Sequence, residues 1–246
     1  MSTMNGTAVL VTGGSRGIGA ATAVRLAQEG ADVAFTYVKD EARAREVAAR
    51  IEAAGRKALP LRADAADAGD AAGAVDWAAD ALGRLDVLVN NAGVGVLGPL
   101  ESLALTDVDR VLAVNVRAAF LASQAAAGRL PEGGRIITIG SCMTRRVPGP
   151  GGVLYALSKT ALIGLTKGLA RELGGRGVTA NLVHPGPVDT DMNPADGPYA
   201  DGQAAMTALG RFGTPDEVAA MVAFLAGPEG RYVTGAEFSV DGGHAA

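Results

Sequence analysis

The sequence predicts an α/β fold, a single doubly wound parallel sheet of about seven strands with helices on both faces. Three observations predict it. Seven short runs are rich in β-branched residues and apolar on both faces, as strands covered on both sides are. Alanine-rich stretches with helical spacing separate them. No linker or internal repeat interrupts the alternation, so the 246 residues read as one domain, 1–246.

The first run, 7–12 (TAVLVT), leads through a glycine cluster into a helical stretch at 20–29. The second, 32–36 (DVAFT), is followed by 41–54, where charges line one side and Val47 and Ile51, four apart, the other. Further strands are expected at 58–62 (ALPLR), 85–90 (LDVLVN), 135–140 (RIITIG), 178–183 (VTANLV) and 236–240 (AEFSV). In such a sheet, ligands bind outside the carboxyl ends of the strands, so functional residues should follow each strand.

Composition narrows the function classes. Glycine, at 35 of 246, is about twice its usual share, yet no collagen-like period accompanies it, which excludes fibrous and low-complexity classes. A net charge of −4 disfavours a nucleic-acid partner. One cysteine, Cys142, excludes an internal disulfide framework, and two histidines are too few for a histidine-rich metal site; no metal is expected. The longest apolar stretch, 218–226, falls short of the roughly 20 residues a membrane span needs. No Lys or Arg precedes Arg16 in signal-peptide fashion, so a cytoplasmic protein is expected.

Each post-strand segment offers a ligand contact. After the first strand comes Thr12-Gly13-Gly14-Ser15-Arg16-Gly17-Ile18-Gly19. Gly13 permits a tight turn, Gly17 lets backbone approach a pyrophosphate, and Gly19 lets helix and strand pack closely. The helix N-terminus supplies unpaired N–H groups to phosphate. Asp64, with Ala65 beside it, follows the third strand; it either accepts a hydrogen bond from an adenine amino group or caps the next helix. Asn90-Asn91-Ala92-Gly93 follows the fourth, and its small residues let a ribose approach the backbone. His184-Pro185-Gly186 follows the sixth.

Chemistry enters after the fifth strand. Ser141 follows it, and Tyr155 and Lys159 lie four apart on one helical face. An ammonium beside a phenol favours the phenolate and should lower the tyrosine pKa from about 10 toward working pH. Ser141 could hydrogen-bond the reacting oxygen. Cys142, Trp77 and the methionines read as packing residues, His184 has no catalytic partners in view, and Arg145 and Arg146 read as a solvated loop pair.

Taken in order, TGGSRGIG, NNAG, Asn115 in VLAVNV, Ser141, YALSK, PGPVDT and TGAEFSVDGG resemble the short-chain dehydrogenase/reductase family over nearly the whole chain. The resemblance implies a Rossmann-type fold and nicotinamide-dependent reduction of a small-molecule ketone or oxidation of an alcohol. It implies that Tyr155 is the proton donor, Lys159 lowers its pKa and binds the nicotinamide ribose, and Ser141 orients the carbonyl. It implies that Asn115 holds a relay water, and that Val188 and Thr190, with Pro185 and Gly186, meet the nicotinamide. Where NAD-preferring members carry an acid at the end of the second strand, this chain has Tyr37, with Lys39 two further on and Arg16 nearby, so NADP(H) is the expected cofactor. Asp40 stands too far along to reach the ribose. The 14-residue spacing from Ser141 to Tyr155 resembles fungal naphthol reductases, and PGPVDTDMNPADGP resembles a bacterial subgroup with a cyclic-di-GMP-binding member.

Three functions follow: a carbonyl reductase, a nucleotide-sensing binder of cyclic-di-GMP type, or a carrier-protein-dependent 3-oxoacyl or polyketide reductase docking through Arg129, Arg145 and Arg146. The resemblance further implies a homotetramer formed by the Asn115 and Tyr155 helices, where Ala118, Ala119, Ala161, Gly164 and Gly168 allow close approach. The segment 189–211 is expected to be a substrate lid without a long helix, its Met192, Tyr199, Met206 and Leu209 facing Met143, Val147 and Leu154.

Overall fold

The computed structural model describes residues 4–246, so residues 1–3 of the expected domain lie outside the description. All seven expected strands form: β1 Ala8–Val11, β2 Asp32–Tyr37, β3 Ala58–Arg62, β4 Val87–Asn90, β5 Arg135–Ile139, β6 Thr179–Pro185 and β7 Glu237–Val240. They make one sheet in the order β3-β2-β1-β4-β5-β6-β7, with every pairing parallel. The direction of winding reverses between β1 and β4, which opens a crevice at their carboxyl ends.

Helices cover both faces. Alternate strand residues Val9, Val11, Val33, Phe35, Val87, Val89, Ile137 and Ile139 pack against α1 (Gly17–Gln28), α2 (Glu41–Ala53) and α8 (Pro215–Ala226). The interleaved Leu10, Ala34, Leu88 and Ile136 pack on the opposite side against α3 (Ala68–Leu82), α5 (Ala118–Arg129) and α6 (Val153–Leu173). This two-sided burial is the physical reason the strands read as continuous apolar runs.

Between β4 and β5, α4 (Leu105–Leu112), a π-helical turn (Ala113–Arg117) and α5 run on as one helix. That helix corrects one expectation. Leu105–Arg129 spans 25 residues with a mean hydropathy of 1.3 over its most apolar window, long and apolar enough to cross a membrane by those measures alone. Counting uninterrupted apolar runs misses it, because Asp107, Asp109 and Arg110 punctuate the pattern. Here it packs one side against the domain, with Val111, Val114, Ala118, Ala122 and Ala126 buried, and leaves the other side, Leu105 and Phe120 included, exposed.

The segment 189–211 contains no long helix, as expected. A bridge from Val188 to Gly213 joins its flanks, and the segment itself holds a bridge from Thr190 to Asn193 and the six-residue α7 (Ala200–Ala205).

Candidate active site

The glycine loop is shaped by close approach. Gly13 (φ +66°) and Gly17 (φ +52°) adopt left-handed backbone, and a Cβ on Gly19 would lie 2.3 Å from the Gly13 carbonyl oxygen. Gly14, not singled out by sequence, is as constrained: its Cβ would fall 2.6 Å from that of Phe35. Thr12 and Thr36 brace the loop, also unforeseen. The Thr12 hydroxyl accepts N–H bonds from Asn91 and Ala92 (3.0 Å each), and that of Thr36 accepts one from Gly13 (2.9 Å).

Several residues expected at the cofactor also brace the fold. The Asn91 amide donates to the carbonyls of Thr12 and Gly13 (2.9 Å each), so its side chain fixes the turn. Gly186 has no room for a Cβ against Asp241 (2.6 Å) and bonds Val240, so it packs on β7. Asp64 is exposed and accepts the Ala66 N–H (2.9 Å); Asp67, not Asp64, caps α3. Ala65 and Ala92 line a small cavity with Thr12, Thr36 and Asp70. Thr190 reaches over Gly17, where a Cβ would meet its methyl at 3.2 Å, and Val188 is buried beneath it. Ser15 and Ile18 are half-buried in the loop.

The residues fit a dinucleotide. The first turn of α1 has no side-chain cap and no acidic residue, while Asp40, Asp67 and Thr214 cap α2, α3 and α8. Its N–H groups and the Cβ-free cradle are therefore left for a phosphate. Tyr37 ends β2 with Lys39 exposed beyond it. Asp40 accepts the Arg43 N–H (3.0 Å), so it serves its own helix. Arg43 is a cation that sequence reasoning missed. Its guanidinium bonds Asp191, which also lies 4.0 Å from Arg16, so both arginines gather at one edge of the cleft.

At the other end of the cleft the four expected catalytic residues come together. Lys159 is 4% exposed; its ammonium donates to the Ile139 carbonyl (2.9 Å) and lies 5.9 Å from the centre of the Tyr155 ring. A Cβ on Gly93 would stand 3.3 Å from Lys159 Nζ and 3.5 Å from Asn115 Oδ1, so only glycine leaves these groups room to converge. Asn115 sits in the π-helical turn, which the sequence, helical in pattern, does not signal. Its amide accepts from Val94 N–H (2.9 Å) and donates to Val94 O and Ser158 Oγ (3.0 Å each). Ser158 in turn donates to the Tyr155 carbonyl (2.8 Å). Ser141 is buried, and its hydroxyl accepts the Met143 N–H (3.2 Å).

The expected lowering of the Tyr155 pKa is reversed. Burial pushes it up to about 12 against the pull of the Ser141 hydroxyl, with Cys142 adding to the rise. Lys159 is spent on Ile139, and burial brings its own pKa down to about 8. Burial likewise raises Cys142 to about 11, in keeping with a packing role.

Three expected surface cations are already engaged. Arg129 holds Asp76 (2.7 Å) and Asp80 (3.0 Å), Arg145 lies 3.6 Å from Glu237, and Arg146 donates to the His244 carbonyl (3.0 Å). Arg145 and Arg146 are exposed on their loop, as expected, and each also holds one partner. Leu154 is buried beneath the site, whereas Met143 and Val147 pack over Gly152 at the start of α6. Met192, Tyr199 and Leu209 are exposed. His184, read as having no catalytic partners, is fully buried and bonded to Ser141 and Glu237.

Comparison with known proteins agrees with this fold. The family model described as "Enoyl-(Acyl carrier protein) reductase" matches residues 13–245. A short-chain dehydrogenase from Burkholderia cenocepacia, solved in complex with NADP, is 57% identical, with a TM-score of 0.98 over 99% of this chain and 100% of that one. The cyclic-di-GMP-binding biofilm dispersal mediator protein of Escherichia coli is 46% identical over 98% of both chains. A 3-oxoacyl-[acyl-carrier-protein] reductase from Synechocystis is 38% identical over 99% of this chain and 98% of its own length.

Proposed function

The chain belongs to the short-chain dehydrogenase/reductase family, and from that premise we propose that it is an NADPH-dependent carbonyl reductase, running in reverse as an alcohol dehydrogenase. The observation that carries the proposal is the convergence of Ser141, Tyr155, Lys159 and Asn115 beside a Cβ-free dinucleotide cradle. Arg16 and Arg43, which share Asp191 at the edge of the cleft, and the exposed Lys39, with Tyr37 rather than an acid ending β2, support NADP(H) over NAD.

When bound, NADPH supplies the hydride. The protein supplies position and a proton. Ser141 holds the carbonyl oxygen, and Tyr155, protonated at working pH because burial raises its pKa, donates its phenolic proton to that oxygen. Lys159, with a pKa near 8 and its ammonium 5.9 Å from the Tyr155 ring centre, is the group from which that proton is restored by relay, and Asn115 anchors the surrounding turn. Exposed apolar lid residues support bulky, apolar ketones as substrates. A cytoplasmic setting, where this reductant is drawn upon, is part of the same proposal.

The relative's name favours one second reading, a cyclic-di-GMP binder. The Synechocystis relative's name fits the carrier-protein-dependent reductase as well, although Arg129, Arg145 and Arg146, its expected docking residues, already hold partners within the chain. Following NADPH absorbance across a panel of aromatic and cyclic ketones, with a parallel cyclic-di-GMP titration, separates catalyst from binder. Turnover without cyclic-di-GMP binding is expected; binding without turnover would favour the second reading.

A further inference from the structure

We propose that His184 is a positioning residue for Ser141, locked in a single tautomer by Glu237; the inference rests on the assignment of Ser141 to the carbonyl-binding site. His184 is the penultimate residue of β6 and has no exposed surface. Its Nδ1 accepts the Ser141 N–H at 3.2 Å. The Thr144 hydroxyl lies 3.3 Å from the same nitrogen but gives its hydrogen to the Ser141 carbonyl (2.9 Å). Nδ1 therefore presents a lone pair, and the ring proton resides on Nε2, 3.2 Å from Glu237 Oε2.

Glu237 is held in turn. Lys167 Nζ stands 3.0 Å from one oxygen, and Arg145 lies 3.6 Å from the other. Burial works against the Glu237 carboxylate, yet bonds from Lys167 and His184 outweigh it and keep its pKa below the ordinary value. Burial also lowers the His184 pKa, so the ring stays neutral and Nδ1 remains an acceptor. The chain entering the site lies against this ring: a Cβ on Gly140 would fall 2.5 Å from Nδ1. Both ends of the Ser141 residue are thus tied, N–H to His184 and C=O to Thr144, which fixes where its hydroxyl points. Family chemistry needs the serine hydroxyl; this chain sets its direction from β6 and β7.

The test compares His184→Asn with His184→Gln. Asparagine places its carbonyl oxygen where Nδ1 sits and can accept from Ser141, whereas glutamine places its amide near Nε2 and cannot. We expect His184→Gln to lose roughly 10- to 100-fold in kcat on the fastest ketone of the panel with KM for NADPH unchanged. His184→Asn should recover most of that loss. Amide hydrogen exchange over 140–146 should quicken in the glutamine variant and stay near wild type in the asparagine variant. Glu237→Gln, which keeps the side-chain shape, provides a second variant should His184→Gln fail to fold, and a fall in kcat at constant KM for NADPH is expected. Equal losses in both histidine variants, or wild-type kcat and exchange in His184→Gln, overturn the proposal. Wild-type protein that turns over none of the ketone panel would defeat the reductase reading instead, while the exchange pattern still decides the role of His184.

Discussion

Lys159 shows how a site residue is maintained at the expense of stability. Its ammonium is buried, and its pKa falls from 10.5 to about 8. The unfolded chain therefore binds more protons than the folded one between pH 8 and 10.5, and this group's contribution to stability rises with pH across that window. Below pH 8 the burial cost stands in full, roughly 3 kcal/mol at 1.36 kcal/mol per pKa unit. Lys159→Met should consequently be inactive yet melt higher than wild type at pH 7. The gap in Tm should close as pH rises from 8 to 10.5, which thermal melts across that range would check. Cys142 and Tyr155, whose raised pKa values act in the opposite sense at high pH, are present in both proteins and cancel in the difference. At this scale the sequence revealed which residue types gather but not who holds whom. The pairing of His184 with Glu237 spans 53 positions and depends on the β6–β7 register, in which Leu182 lies opposite Glu237. Nothing local to either residue announces it.

Among the elements, the cofactor loops were the most legible, because a left-handed turn and a close helix leave glycine as the tolerated residue at Gly13, Gly17 and Gly19. The π-helical turn at Ala113–Arg117 was not legible, since its residues keep ordinary helical character and only the tertiary fold selects the bulge. Arg43 escaped notice because it lies in the first turn of α2, where its meeting with Asp191 requires the 189–211 segment to cross the cleft. Arg43→Ala and Arg16→Ala should each raise KM for NADPH roughly tenfold, the scale of one charge-assisted hydrogen bond, and leave KM for NADH nearly unchanged. Steady-state kinetics with both cofactors decides this, and parallel losses with both would contradict it. For the lid, specificity constants should favour bulky aromatic ketones over small charged keto acids, because Arg145 and Arg146 are engaged elsewhere. A preference for keto acids that disappears in Arg146→Ala would contradict the apolar pocket.

Over the whole molecule, the alternation of strands and helices was readable because both sheet faces are buried, whereas the orientation of helices toward partners was not. Ala118 and Ala119, expected at a subunit contact, instead face the core. The outward face of α6 carries Val153, Leu157, Ala161, Gly164 and Gly168, with Phe120 exposed on α5; a Cβ on either glycine would meet open space. That face supports a tetramer built through α5 and α6. Light scattering at micromolar concentration should return four times the 24.6 kDa chain mass, and Leu157→Glu should reduce it.

The central claim is that Tyr155 delivers the proton that completes carbonyl reduction. Its most direct test is to quantify alcohol formed per NADPH consumed, in wild type and in Tyr155→Phe, with the best aromatic ketone. Wild type should form one alcohol per NADPH, and the phenylalanine variant should fall in kcat by at least about a hundredfold with NADPH affinity retained. Alcohol formation by Tyr155→Phe at the wild-type rate would contradict it.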